Sequence, residues 1–399
     1  MSGIVIQRFV AFRTQGELGM LDLRRLLAGV LLLGVTAGAA LAQPQPVRVG
    51  VIEPQTGPVA FDGTSVIRGA RLAADEINRA GGVLGRPLEL VIADGACRPA
   101  DSVAAAERLI TAEKVSVLMG AFCSGATQAV MPIADRNRVP LVTGVSSLPA
   151  LTEAGNRWFF RNAETDAMIA TAFARGLVEE TKAKTVAFLA VNDDWGRGTV
   201  SSFRSVFDKL NVKTSLSEFF DHHASDFYTP LTRIRSARPD LVIVVAETQA
   251  AATLVKQARE LRLPSKIFGV GAWTTPTFLN LVGPAANGLL AGVAYTANAP
   301  GERNAAFVRD YRAMHNEDPG KYSASGYTTM NIIAQAIQRA GSTDAAAVQA
   351  ALEQTDYTGP TGNLRFDGKH QIYGLQLYVV EIESGKPEVR GTAQLERND

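Results

Sequence analysis

In the stretch GAFCSGATQAV, residues 120–130, a thiol, a hydroxyl and a glycine stand side by side after the apolar run Val115–Met119. Cys123 and Ser124 are the residue types of a nucleophile, and equally those of a turn that holds a ligand. A second hydroxyl pair, Ser146 and Ser147, follows another apolar run in GVSSLPALT, residues 144–152. Each turn leads into a helix start, where unpaired backbone N–H groups and the helix dipole favour an anion. Two such turns on neighbouring strands would grip a carboxylate from both sides. The other reading of each serine is that it caps its own helix.

Further candidates stand at strand ends downstream. Trp195, in NDDWGRG (192–198), either covers a ligand or packs in an interface. Glu247, just past LVIVVA, is a solvated acid unless that strand end opens on a cleft, where it would accept a cation or a hydroxyl. His222 and His223 lie in a polar stretch and read as loop residues, because adjacent side chains do not converge easily on one metal. No metal and no cofactor are expected. GVGAWT lacks the full dinucleotide fingerprint, and the chain has no G-x-S-x-G, H-E-x-x-H or Walker loop.

The elements that must position these turns alternate. Apolar runs at 47–53, 87–94, 115–120 and 139–144 read as strands, separated by amphipathic helices over TSVIRGARLAADEINRA, ADSVAAAERLITAE and GATQAVMPIADRN. A second series begins after about residue 165, with strands at 185–191, 240–246, 266–270 and 289–295. A long helix, SASGYTTMNIIAQAIQRA, and further α and β follow. Continuous apolar strands between amphipathic helices mean parallel sheets covered on both faces, with ligands beyond the carboxyl ends of the strands. The expected fold class is α/β, with two doubly wound Rossmann-like lobes facing across a cleft.

Composition agrees. The chain has 399 residues, 46% of them hydrophobic, enough for two lobes, and a formal charge of +1 that points to no nucleic-acid partner. Residues 1–42 read as a secretory signal: LDLRR is a basic n-region, and LLAGVLLLGVTAGAALA is an apolar run ending in an A-x-A-like site before Gln43. Met20 is an alternative natural start. A membrane anchor is the other reading, disfavoured by the short apolar core and the small residues after it. Export places the only two cysteines, Cys97 and Cys123, in an oxidising compartment that favours pairing them.

TGPVAFDG, GARLAADEINRAGGVLGRPLELVIADGAC, CSGATQAVMPIAD, SSLPALT, NDDWGRG and LVKQARELRLP together resemble the type I periplasmic solute-binding proteins of the leucine/isoleucine/valine group, over nearly all of 47–395. The resemblance implies two lobes, 43–164 plus 293–370 and 165–292 plus 371–399, joined by a three-crossing hinge near 165, 293 and 370. It implies a carboxylate grip from Ser124, Val145 and Ser147, beside Ser146. Trp195 becomes the cover from the second lobe, and Phe61 and Phe122 the side-chain pocket. Tyr327 on the long helix is counted among the ligand-binding residues. Amino-acid binders of the family carry an ammonium-binding acid where this chain has Gly271. The ligand then need not bear an amine, unless Glu247 substitutes.

The expected function is that of the periplasmic solute-binding component of an ABC importer, not an enzyme: a monomer that delivers a small carboxylate or amino acid to its permease. A sensing module feeding a signalling receptor is the second class. An exported hydrolase built on Ser124 is the third, opposed by the absence of histidine from every cleft turn. Ser124 then holds, Cys123 staples, and neither attacks.

Overall fold

The computed structural model describes Gln45 to Arg397; the expected signal lies outside the described residues. In chain order, β1 (Val47–Glu53), α1 (Ala60–Arg79), β2 (Leu88–Asp94), α2 (Pro99–Thr111), β3 (Val117–Gly120), α3 (Ser124–Asn137), β4 (Leu141–Thr143), α4 (Ala150–Glu153) and β5 (Phe159–Arg161) wind one sheet. Its order is β2-β1-β3-β4-β5, all parallel. Next come α5 (Asp166–Thr181), β6 (Thr185–Val191), α6 (Asp194–Lys209), β7 (Lys213–Phe220), α7 (Tyr228–Ala237), β8 (Leu241–Val245), α8 (Thr248–Glu260), β9 (Lys266–Val270), α9 (Pro276–Val282) and β10 (Leu290–Val293). They wind the order β7-β6-β8-β9-β10, again parallel.

The two orders are the same doubly wound pattern. The strand order therefore reverses at β1/β3 in one lobe and at β6/β8 in the other, and crevices form beyond those strand ends. Every residue of β8, LVIVV, is buried, as a strand covered by helices on both faces must be.

Past β10 run α10 (Glu302–His315), α11 (Lys321–Ala340) and α12 (Ala345–Glu353), then β11 (Tyr357–Gly359), β12 (Gly362–Phe366), β13 (Ile372–Glu383) and β14 (Lys386–Gln394). Helix α11 returns to the first lobe and lies directly on α1. A Cβ at Gly69 would meet Ser323 O at 1.9 Å, and one at Gly326 would meet Val66 O at 2.0 Å, so both crossing points require glycine. Strand β13 pairs antiparallel with β10 and with β14 in the second sheet. The hairpin β11–β12, in a segment assigned from sequence to the first lobe, extends the second sheet through β13 while Phe366 packs edge-on against Phe160 of β5.

The chain passes from the first sheet to the second after Arg161, at the end of β5. Arg161 ties this point to the loop between β12 and β13: its backbone N–H donates to His370 O at 2.9 Å, and its buried guanidinium donates to Gln371 Oε1 at 2.5 Å, to Leu148 O at 2.5 Å and to Thr152 Oγ1. Burial lowers that guanidinium to a pKa of about 10.

Candidate functional site

Strand β3 ends at the first-lobe crevice. Phe122 then takes a left-handed φ of +43°, the extended Cys123 occupies the N-cap, and α3 begins at Ser124. Cys123 gives α3 no side-chain cap, because its sulfur is bonded to Cys97 with the two Cα atoms 5.4 Å apart. The first N–H groups of α3 therefore have no partner within their own helix.

A chain of hydroxyls joins this turn to the next. Thr127 Oγ1 accepts from Ala121 N–H at 2.9 Å and lies 2.6 Å from Ser146 Oγ, which donates to Phe122 O at 2.8 Å. With Ser146 committed as that donor, Thr127 is the donor between the two hydroxyls. Ser146 thus fixes the turns to each other. Ser124 differs: its Oγ accepts from Leu148 N–H at 3.3 Å, which leaves its proton for a ligand. Ser147 donates to Asp166 Oδ1 at 2.8 Å, so toward a ligand its oxygen is an acceptor. Asp166 also receives the Thr199 hydroxyl at 2.9 Å, its Oδ2 has no partner, and burial lifts its pKa from 3.8 to about 6.

The second-lobe wall is built at the ends of β6 and β8. Asp193 caps α6 through Gly196 N–H at 2.7 Å and sets Trp195 in the first turn. Glu247 stands at the start of α8, 5% exposed, and burial pushes its pKa from 4.5 to about 7. Its one side-chain partner is His222, whose Nδ1 lies 3.4 Å from Glu247 Oε1 while Nε2 lies 3.1 Å from Asp193 Oδ2. The hydrogen bond with Asp193 leads the causes that raise His222 above 6.5. Donor atoms of the three residues lie within 4.8 Å of one another, the span of a metal site. The imidazole, however, turns opposite nitrogens to its two carboxylates, hydrogen-bonded to Asp193 and in ion-pair range of Glu247.

A family model described as "Periplasmic binding protein" matches residues 46–387. The chain belongs to the periplasmic binding protein family. It is similar, at 28% identity over 91% of this chain and 96% of the relative, to the leucine-, isoleucine-, valine-, threonine- and alanine-binding protein of Pseudomonas aeruginosa. At 30% identity over 86% of this chain and 92% of the relative it is similar to an amino acid binding protein of the same organism. It also superposes on the branched-chain amino acid transporter substrate binding protein LivJ of Streptococcus pneumoniae, solved with isoleucine, with a TM-score of 0.80, 26% identity and coverage of 88% of this chain and 99% of that one. Members of the family bind substrates and are not enzymes, so the nucleophile and hydrolase readings of the Cys123–Ser124 turn fall away. Membership also implies a periplasmic location.

In this periplasmic binding protein one cavity gathers Phe122, Ser124, Val145, Ser146, Ser147, Trp195 and Glu247. Three expected site residues are placed elsewhere. Phe61 lines a neighbouring cavity, on the far side of Tyr322, because the next residue of α1, Asp62, turns into the interlobe contact. Gly271 does not reach the main cavity; its neighbour Val270 does. Gly271 has φ +141°, and a Cβ there would lie 2.8 Å from Ala246 O, so no acid fits at that position. Tyr327 lies outside the cavity, donating to Glu76 at 2.6 Å with its ring 4.7 Å from Phe307.

The cavity also holds residues the sequence reading passed over. Tyr322, with its ring centroid 5.0 Å from Phe122, lines it from the first turn of α11, and so does Lys321, whose ammonium is held by Glu164 at 2.6 Å. The helix was readable, but which residue of it faces inward depends on its crossing with α1. Asp193, in NDDWGRG, also lines the cavity; His222, a turn residue just after β7, lies beside Glu247 but lines a neighbouring cavity. The cavity is about 30 Å³, room for roughly two waters.

Proposed function

We propose that this protein is the solute-binding component of an ABC importer and that its cleft closes on an α-amino acid with an apolar side chain. The carboxylate is received at the start of α3, by its free N–H groups and the Ser124 hydroxyl. The ammonium is received by the acceptors Ser147 Oγ and Glu247, with Phe122, Trp195 and Tyr322 around the side chain. The observation that carries this reading is Glu247: a buried carboxylate in the wall of the cavity, with one imidazole at 3.4 Å as its side-chain partner. A buried charge of that kind is stabilised by a cation. The relatives named for binding amino acids support the same class.

Gly271 favours a second reading, an aromatic or branched acid without an amine, because the acid that family members use for the ammonium has no counterpart there. A thermal-shift screen of L-amino acids, 2-oxo acids and benzoate-type acids on protein stripped of ligand by unfolding and refolding separates the two readings, since binding raises apparent stability by mass action. Shifts from L-leucine or L-phenylalanine with silence from benzoate support the amino-acid reading, and the reverse pattern overturns it. We also propose that residues 21–42 direct export, that cleavage leaves Gln43 first, and that the mature monomer hands its solute to a permease. N-terminal sequencing of the exported protein tests the cleavage; an intact LDLRR segment contradicts it.

A further inference from the structure

Three helices that begin near the cleft or hinge cap themselves. Thr165 accepts from Met168 N–H at the start of α5, Asp193 from Gly196 N–H at α6, and Thr275 from Phe278 N–H at α9. Helix α8 is different. Its N-cap residue, Glu247, makes no side-chain hydrogen bond to it. The first N–H of α8, on Thr248, instead donates to Asp62 Oδ2 at 3.2 Å, and the Thr248 hydroxyl donates to Asp62 Oδ1 at 2.6 Å. Asp62 belongs to α1 of the first lobe and Thr248 to the second, 186 positions further along the chain. Both are buried, at 2% and 0% exposure. Neither lines the cavity that gathers Ser124 and Glu247.

We propose that Asp62 is the catch of the cleft: a first-lobe carboxylate that caps helix α8 of the second lobe only when the lobes are together, so that solute affinity includes the free energy of this cap. The contact has the form this role needs. The carboxylate uses both oxygens on one residue across the interface, and separation of the lobes returns the Thr248 N–H to an uncapped helix end. A cap of this kind acts on the closed form alone, so its loss hastens solute release and leaves encounter nearly unchanged. Asp62 is a positioning residue, distinct from the groups that touch solute. The inference rests on closure around a solute and not on which solute it is.

The test combines Asp62→Ala, the near-isosteric Asp62→Asn and Thr248→Val with two measurements. The first is stopped-flow kinetics with L-leucine. Asp62→Ala is expected to raise the dissociation rate by about two- to thirtyfold, the range of a helix N-cap, with the association rate within about twofold of wild type. Thr248→Val is expected to have a smaller effect alone and little further effect in the Asp62→Ala background, because the two groups form one interaction. The second is the distance distribution between spin labels on opposite lobes, measured on ligand-stripped protein, which the alanine variant is expected to shift toward longer separations. If L-leucine does not bind, the amino-acid reading fails and the label distances decide the catch. Unchanged distances in Asp62→Ala, an unchanged dissociation rate, or additive effects of Asp62→Ala and Thr248→Val overturn it. Should Asp62→Ala fail to fold, Asp62→Asn gives the same comparisons.

Discussion

Asp166 shows how burial sets a charge state at the back of the site. Ser147 and Thr199 donate to its Oδ1, yet desolvation outweighs them and its pKa stands at about 6, above the ordinary 3.8. The native state therefore holds this proton more tightly than the unfolded chain does. Its contribution to stability is complete below about pH 4 and declines as pH rises to 6. Asp166→Asn removes the titration. Relative to wild type, the variant is expected to gain about 2–3 kcal/mol between pH 4 and pH 7, read by urea unfolding at four pH values. A difference that stays flat with pH contradicts the burial account. Ser147→Ala removes one of the two hydroxyl donors to the same carboxylate and is expected to lower stability at pH 7 by about 1–3 kcal/mol; no change in urea midpoint would show that the contact contributes nothing.

At the scale of elements, the Cys97–Cys123 bridge ties the loop after β2 to the start of α3 across 26 residues. In the chain-entropy view that closure stabilises by about 3.5 kcal/mol. The double variant Cys97→Ala/Cys123→Ala is expected to lose that much, and denatured, unreduced wild type is expected to titrate no thiol. Two titratable thiols would contradict the bridge. The elements most legible in the sequence were those buried along nearly their whole length: β1, β6 and β9 stand where their apolar runs put them, at 47–53, 185–191 and 266–270. Strand β7, KTSLSEFF, was not read, because it is an edge strand only partly buried along most of its length. Strand β5 is three residues long, too short for periodicity to show. The turns after β3 and β4 were legible for the same reason as the strands before them. The inward phase of α11, which selects Tyr322 over Tyr327, was not, because the close crossing with α1 at Gly69 and Gly326 sets it. Contacts between distant segments, Asp62 with Thr248 and His222 with Glu247, left no local signal in the sequence.

For the whole molecule, two lobes of the same winding bring four strand-end turns to one small cavity. In the proposed reading the first lobe presents the N–H groups of α3, the Ser124 hydroxyl and the Ser147 oxygen, and the second presents the buried acid Glu247. That division predicts a ligand with a negative end and a positive end. Isothermal titration calorimetry of refolded, ligand-stripped protein with L-leucine and L-phenylalanine, against their amine-free counterparts 4-methylpentanoate and 3-phenylpropanoate, tests it directly. The amino acids are expected to bind at least about thirtyfold more tightly than the counterparts, with that preference abolished in Glu247→Gln, consistent with a charge-assisted bond of about 2 kcal/mol or more. Equal affinity for both members of each pair, or a preference for the amino acids that survives Glu247→Gln, would contradict the account.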